Sequence, residues 1–167
     1  DNGSATLVTP SWNDNVGTFT LAGDGDYKVY VSYTDKANNP MDDYVSDIVT
    51  VDKTDPIVKI DYIHNGDEQK TIFTVIEHNF RASDVTITGT MKDINNNDVA
   101  FTADQLTQIL RDANWNKNGD TYTTEYDAYV NGIYNLEISY TDIAGRPAKK
   151  TDQSVKEFTI DHGVPSD

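Results

Sequence analysis

Hydrophobic and polar residues alternate along most of the C-terminal two thirds of the chain, which is the pattern of β-strands that bury one face. The clearest alternation runs over residues 132–142, where Tyr134, Leu136, Ile138 and Tyr140 recur at every second position and are predicted to face a core. The alternation predicts six strands, over residues 57–63, 71–77, 84–90, 120–126, 132–142 and 154–161. Six strands with turn residues between them favour an antiparallel arrangement in two layers.

A helical pattern interrupts the strands after the third of them. Leu106, Ile109 and Leu110 recur at helical spacing, and Thr102 with Gln105 fits the capping box that begins many helices. We therefore predict one short helix that starts near Thr102 and crosses from one sheet to the other.

Two polar segments are predicted to be turns. Residues 92–98 are dense in Asp and Asn, whose side chains bind their own backbone, and residues 24–26 read Asp-Gly-Asp. We expect a loop at the first segment and a hairpin turn at the second.

The chain repeats part of itself at an offset of 107 positions. Residues 26–40 read DYKVYVSYTDKANNP and residues 133–147 read IYNLEISYTDIAGRP, with seven identities and no gap. The match extends, with small gaps, to IVTVDKTDP at residues 48–56 and FTIDHGVP at residues 158–165. A repeat of this length is the size of an immunoglobulin-type β-sandwich.

The predicted fold is therefore all-β, an antiparallel immunoglobulin-like β-sandwich with one short helix, arranged as a tandem repeat. We expect one complete copy over residues 55–163, preceded over residues 1–54 by the C-terminal half of another copy. Such a half-copy would leave half of a core uncovered.

Several short strings make the chain similar to a known family. TVIEHNF at residues 74–80, the two strand ends YTDKANNP and YTDIAGRP, and the junctions VDKTDP and IDHGVP resemble the bacterial immunoglobulin-like repeats of large Gram-positive surface proteins. The sequence departs from the usual Tyr-Thr-Asp-x-Ala-Gly-Asn strand end at Asn38, which replaces Gly, and at Arg146, which replaces Asn. The resemblance implies an extracellular module on the bacterial cell surface, wall-attached or secreted, with neighbouring repeats as partners.

The charge of the chain limits its partners. Acidic residues number 28 against 13 basic ones, which gives a formal net charge of −15. Such a surface repels phosphate backbones and anionic lipid headgroups, so we expect no nucleic-acid partner. The apolar runs are far too short for a membrane span, so we expect no membrane insertion by this segment. The chain has no Cys, which excludes disulfides and thiolate metal sites.

No catalytic motif is visible in the sequence. The chain has three scattered His and lacks a nucleophile elbow, a phosphate-binding loop and a Glu-x-x-His helix. Pairs of carboxylates arise by chance in so acidic a chain, and catalysis would also need a shaped cleft. We therefore predict that the protein is not an enzyme.

Calcium is the one cofactor that the sequence raises. The candidate ligands are Asp93, Asn95, Asn97 and Asp104, at positions 1, 3, 5 and 12 of an EF-hand-like loop. Position 6 is Asp98 where such a loop needs Gly, and no helix is predicted before it, so an Asx-rich turn is the alternative. Two further oxygen-rich groups are candidates, namely residues 112–120 and the set Asp35, Asp52 and Asp55.

Three tyrosines form a candidate binding patch. Tyr122, Tyr126 and Tyr129 lie close together along one strand and its loop, and Tyr is favoured at interfaces. The partner would be a host protein or glycan, such as a glycoprotein or an immunoglobulin. Packing in the core is the alternative explanation for these residues.

Glu77 ends a strand that is otherwise rich in buried residue types. We expect its carboxylate to accept hydrogen bonds at the strand end. The alternative is that it assists an intramolecular Lys–Asn isopeptide bond, a feature that the resemblance to Gram-positive surface modules implies.

The sequence thus predicts a non-catalytic module that acts as a stalk, spacer or adhesion unit of a bacterial surface protein. One alternative is direct binding of a host ligand. A second alternative is an accessory module of a secreted carbohydrate-active enzyme.

Overall fold

The chain folds into two compact units that meet in sequence between Lys53 and Thr54. This computed structural model describes residues 5–163. Apart from one α-helix and one 3-10 turn, the regular structure of these residues consists of β-strands paired in antiparallel fashion, so the all-β prediction is confirmed. Within the described residues, no helix is long and apolar enough to cross a membrane.

The first unit contains six short strands in three separate pairs. They pair as β1 with β2, β3 with β6 and β4 with β5. The strands are β1 (Ser11–Asn13), β2 (Val16–Thr18), β3 (Gly25–Tyr27), β4 (Tyr30–Val31), β5 (Tyr44–Val45) and β6 (Val49–Val51). No residue from 5 to 53 is buried, and apolar side chains such as Trp12 and Tyr30 are more than 60% exposed.

The hairpin turn predicted at residues 24–26 is wrong in its position. Gly25 and Asp26 belong to β3 and pair with Val51 and Thr50 of β6. The chain bends just before this strand, and the Asp24 carboxylate accepts the backbone N–H of Lys53 at 2.7 Å. Pairing with a strand distant in sequence therefore outweighs the local turn preference of Asp-Gly.

The second unit contains two antiparallel sheets. One has the order β10-β11-β8-β7 and the other β13-β12-β9. The strands are β7 (Ile57–Asn65), β8 (Glu68–Ile76), β9 (Val85–Lys92), β10 (Asn116–Asn118), β11 (Thr121–Tyr126), β12 (Gly132–Tyr140) and β13 (Val155–Ile160). All six predicted strands are present, and the short polar β10 is an addition to them.

The two sheets of the second unit share one hydrophobic core. Val58, Ile60, Phe73 and Val75 come from the first sheet, and the second sheet contributes the larger part. The prediction for β12 is confirmed, because its four alternating residues Tyr134, Leu136, Ile138 and Tyr140 are each at most 2% exposed. Burying one such side chain fully contributes about 1.5–3 kcal/mol to the free energy of unfolding. β12 buries four of them and therefore contributes strongly to the stability of the second unit.

The helix α1 (Ala103–Asp112) connects the two sheets, as predicted, and it begins with the predicted capping box. The Thr102 hydroxyl accepts the N–H of Gln105, and the Gln105 side chain accepts the N–H of Thr102. Leu106 and Leu110 are fully buried, whereas Ile109 is 41% exposed and faces away from the core.

Side chains of α1 bind the open edge of β9. The Thr107 hydroxyl accepts the N–H of Ile87 at 2.9 Å and donates to its carbonyl at 3.2 Å. The Arg111 guanidinium donates to the Val85 carbonyl at 2.8 Å. The helix thus satisfies strand groups that would otherwise be an exposed template for pairing.

Candidate functional site

Three loops of the chain have one and the same construction, and we call them the corner loops: residues 34–40, 92–98 and 141–147. Each is closed by a single antiparallel bridge between its first and last residue. Its second residue is an Asp whose carbonyl accepts the N–H of the fifth residue at 3.0 Å. The fifth residue has a positive φ of 66° to 83°, which Asn and Gly tolerate best; it is Asn38, Asn96 and Gly145 in turn.

In the first two corner loops, groups of the loop itself donate hydrogen bonds to both oxygens of the Asp carboxylate. Asp35 Oδ1 accepts the N–H groups of Ala37 and Asn39, each at 2.8 Å, and Asp35 Oδ2 accepts the Asn39 side-chain amide at 3.0 Å. These bonds, led by the backbone bond from Asn39, hold the pKa of Asp35 below its usual range.

The predicted calcium ligands at residues 93–97 form the second of these loops. Asp93 Oδ1 accepts the N–H groups of Asn95 and Asn97, and Asp93 Oδ2 accepts the Asn97 side-chain amide at 3.2 Å. The backbone bond from Asn97 is the main cause that lowers the pKa of Asp93. Asp104 lies outside the loop, in the first turn of α1. The Asx-rich alternative thus describes the loop geometry, and calcium binding there stays a prediction.

The third corner loop differs at its sixth residue, where Arg146 replaces the Asn of the other two. The backbone N–H of Arg146 still donates to Asp142 Oδ1 at 2.7 Å. The guanidinium lies beside Asp55, with 3.8 Å between Arg146 Nη1 and Asp55 Oδ1. No amide therefore reaches Asp142 Oδ2, which is buried without a hydrogen-bond partner among the described residues.

Glu77 places a second buried carboxylate beside this loop. It directly follows β8, and its backbone N–H donates to the Asp120 carbonyl at 2.8 Å. Glu77 is 4% exposed and Asp142 is 3% exposed, and a carboxylate oxygen of one lies within 4.8 Å of a carboxylate oxygen of the other. We call these two residues the carboxylate pair.

Glu77 lies near a backbone N–H group and a buried tyrosine. The backbone N–H of Asn79 donates to Glu77 Oε1 at 3.1 Å, which confirms that this carboxylate accepts a hydrogen bond at the strand end. The Asn79 Nδ2 is itself buried without a partner among residues 5–163. Burial raises the pKa of Tyr140 to about 12, and the negative charge of Glu77 adds to that rise. The backbone N–H of Arg81 donates to the Tyr140 hydroxyl at 3.0 Å.

The other oxygen-rich candidates belong to several parts of the chain. Within residues 112–120, Asp112 accepts the Gln108 amide at 2.9 Å, and Asp120 lies 3.1 Å from His78 Nδ1. Asp35 and Asp52 belong to the first unit. Asp55 belongs to the second unit, where it also lies 3.6 Å from Lys149 Nζ.

The three candidate tyrosines have different environments. Tyr129 is 3% exposed, its hydroxyl shares a 2.8 Å hydrogen bond with the Thr71 hydroxyl, and its ring belongs to the core. Tyr126 is half-buried and packs edge-on against Tyr129, with 4.7 Å between ring centroids. Tyr122 is half-buried and stacks on Phe80 at 4.4 Å. Only Tyr122 and Tyr126 of the three thus retain surface for a ligand.

Glu77 was predictable from the sequence as a strand-end carboxylate, whereas its proximity to Asp142 was not. Asp142 is 65 positions away in the chain, and only the fold brings the two together. One feature of the sequence could have indicated Asp142: Arg146 replaces Asn in the repeated strand end. This replacement removes the side-chain amide that binds the Asp carboxylate in the other two corner loops. Comparison of the chain with protein-family models, with curated proteins and with solved structures found no match.

Proposed function

We propose that this chain is a non-catalytic spacer module of a bacterial cell-surface protein, built from immunoglobulin-like β-sandwiches in tandem. Residues 55–163 would be one complete sandwich, and residues 1–54 would be the C-terminal half of the preceding one. The proposal combines the 107-residue repeat with the family resemblance of the strand ends and junctions.

The observation that carries the proposal is the shared register of two strand pairs. In the second unit, Gly132 pairs with Ile160 and Tyr134 pairs with Phe158. In the first unit, the residues 107 positions earlier, Gly25 and Tyr27, pair with Val51 and Val49. Those partners are the ones that the aligned closing segments VTVD and FTID make equivalent. The ladder is therefore repeated in space as well as in sequence, which supports a repeated module.

The exposure of the first unit supports its assignment as a half-copy. Tyr33 and Val31 are 60% and 43% exposed, whereas their counterparts Tyr140 and Ile138 are buried under β7 and β8. Residues equivalent to β7 and β8 would precede the half-copy in a complete sandwich. Their cover would bury the apolar face, and that burial is the main stabilising contribution in such a sandwich.

Force spectroscopy of the full chain, held at both ends, tests the spacer function. We expect one sharp unfolding event whose gain in contour length is roughly 400 Å, from about 110 residues at about 3.6 Å each. Smooth extension without a resisting event would contradict a load-bearing module.

A binding assay separates the spacer from the host-ligand alternative. The immobilised chain is exposed to serum proteins and mucin glycoproteins, with the double variant Tyr122→Ala/Tyr126→Ala as control. We expect no saturable binding by either protein. Saturable binding that the double variant loses would instead support recognition of a host ligand.

A further inference from the structure

We propose that the carboxylate pair, Glu77 and Asp142, binds a divalent cation, and that the cation is calcium. This site is separate from the calcium ligands predicted at residues 93–104. The proposal does not depend on the spacer function, because it is argued from the buried groups alone.

The two carboxylates lie close together and away from solvent. Both residues are at least 96% buried, and a carboxylate oxygen of one lies within 4.8 Å of a carboxylate oxygen of the other. Two buried carboxylates at this distance are costly unless a positive charge compensates them. The described residues form no ion pair with Asp142, and its Oδ2 has no hydrogen-bond partner among them, so a bound cation would supply that charge.

The three corner loops differ in how they satisfy the Asp carboxylate. The side-chain amides of Asn39 and Asn97 donate hydrogen bonds to Oδ2 of Asp35 and of Asp93. Asp142 keeps the backbone bond from the sixth residue of its loop, Arg146, but lacks that amide, and it is the only one of the three that is buried. A buried carboxylate needs a hydrogen-bond donor more than an exposed one does, yet the third corner loop, residues 141–147, is the one that lacks the Asn amide. A cation at this oxygen replaces the missing amide.

The chemistry of the pair favours calcium. The pair offers only carboxylate oxygens, which hard cations prefer. Two oxygens bound to one calcium at 2.3–2.6 Å can lie up to about 5 Å apart, which covers the 4.8 Å limit of the pair. Magnesium binds at 2.0–2.1 Å and gives up its water reluctantly, so it suits a buried pair less well.

Asn79, whose backbone N–H binds Glu77, also carries a buried side-chain amide. The oxygen and nitrogen of a side-chain amide have nearly the same shape and exchange places when the amide turns over. Turning the Asn79 amide would exchange its buried, unpartnered Nδ2 for Oδ1. Side-chain amide oxygens of this kind are common calcium ligands.

Calorimetric titration of the full chain, first stripped with a chelator, tests the proposal directly. We expect calcium to bind at one site, and magnesium to bind more weakly. At a calcium concentration about 100 times the Kd, the Tm should rise by roughly 5 to 10 °C.

Three variants locate the site. Glu77→Gln and Asp142→Asn should each abolish the calcium heat and the Tm shift. Asp93→Asn changes the equivalent Asp of a corner loop without a second buried carboxylate, so it should retain both. Loss of binding in Asp93→Asn with retention in Asp142→Asn would overturn the proposal in favour of the EF-hand-like loop.

The stability of the calcium-free proteins gives a second, opposite signature. Without calcium, Asp142→Asn should melt at or above the Tm of the unmodified chain, because the change removes a buried charge and adds an amide donor. With saturating calcium the order should reverse. A lower Tm for the variant in both conditions would show that Asp142 has only a structural role and would overturn the proposal.

The unmodified chain gives a test that needs no variant. Terbium is a calcium substitute whose luminescence is excited through nearby tyrosines. Tyr140 precedes Asp142 by two residues, and its hydroxyl is close enough to Glu77 for the charge of Glu77 to raise its pKa. We expect tyrosine-sensitised terbium emission that calcium displaces. No calcium heat, no Tm shift and no displaceable emission at millimolar calcium would overturn the proposal.

Discussion

Gly89 lies where the fold leaves no room for a side chain. It lies in β9 opposite Leu136 with a φ of 129°, and a Cβ there would stand 2.0 Å from the Asn135 carbonyl oxygen. We predict that Gly89→Ala lowers the free energy of unfolding by about 3 kcal/mol or more, because both the backbone and the neighbouring strand would have to move. Urea denaturation measures the loss.

Gly66 provides the matched control for Gly89. It also has a positive φ, of 62°, but a Cβ there would meet nothing within 4 Å. Gly66→Ala should therefore cost only about 1 kcal/mol, from backbone strain alone. Equal losses in the two variants would show that the close approach to β12 is unimportant.

Buried tyrosines make the stability of the protein sensitive to alkaline pH. Burial raises the pKa of Tyr140 to about 12, and it raises the pKa of Tyr129 well above its ordinary value. Unfolded tyrosine ionises near pH 10, so between pH 10 and 12 the unfolded chain releases protons that the folded chain keeps. We predict that the free energy of unfolding falls as pH rises through this window, while this contribution is constant below pH 10.

Urea denaturation between pH 8 and pH 11.5 measures this fall. Tyr140→Phe should reduce its slope, because one raised pKa is removed. The same change at exposed Tyr30 serves as the control and should leave the slope unaltered. A stability curve that stays flat above pH 10 would refute the prediction.

The carboxylate pair shows which residue-scale features a single sequence hides. The position of Glu77 at a strand end predicted that its carboxylate accepts a hydrogen bond, and the backbone N–H of Asn79 donates that bond. Its proximity to Asp142 depends on how β8 and β12 pack across the core, and no local pattern encodes that. Charged residues also carry no period when 28 of 167 positions are acidic, so the two buried ones do not stand out.

At the scale of elements, the helix depends on its N-terminal cap. Thr102 and Gln105 satisfy each other's backbone N–H groups, and Leu106 and Leu110 lie behind them in the core. We predict that Thr102→Ala costs about 1 kcal/mol of stability, because one N–H of the first turn loses its partner. Urea denaturation at constant m-value measures it, and Thr102→Ser, which keeps the hydroxyl, should cost much less. Equal costs would mean that the cap bond contributes little.

Strands and helices were predictable from the sequence where the residue pattern is compatible with only one type of secondary structure. The alternation in β12 and the capping box before α1 were both predicted and both confirmed. The strand β10 was missed because Asn116, Lys117 and Asn118 are polar and exposed, and only pairing with β11 makes them a strand. Ile109 shares helical spacing with Leu106 and Leu110 but is 41% exposed, because 3.6-residue spacing alone does not separate a core position from its neighbour.

At the scale of the molecule, the two units should differ in resistance to proteolysis. The second unit has a core of sixteen buried hydrophobic residues, and none of them comes from residues 5–53. We predict that brief digestion of the full chain leaves a fragment that begins near Thr54, because segments with few buried contacts open most readily. Mass spectrometry identifies the fragment, and a resistant product that retains residues 5–53 would contradict the prediction.

A force applied between the two ends of the second unit acts along β7. The chain enters at Ile57, which pairs with Ile76, and it leaves near Asp161, whose carbonyl accepts the Gln69 amide at 2.8 Å. Gln69 pairs with His64, near the far end of β7, so entry and exit lie at opposite ends of the strand. A pull on the two ends therefore runs along β7 and loads its ladder to β8 in shear, so that many hydrogen bonds must break together. A pull across the strand would open the same bonds one at a time, like a zipper.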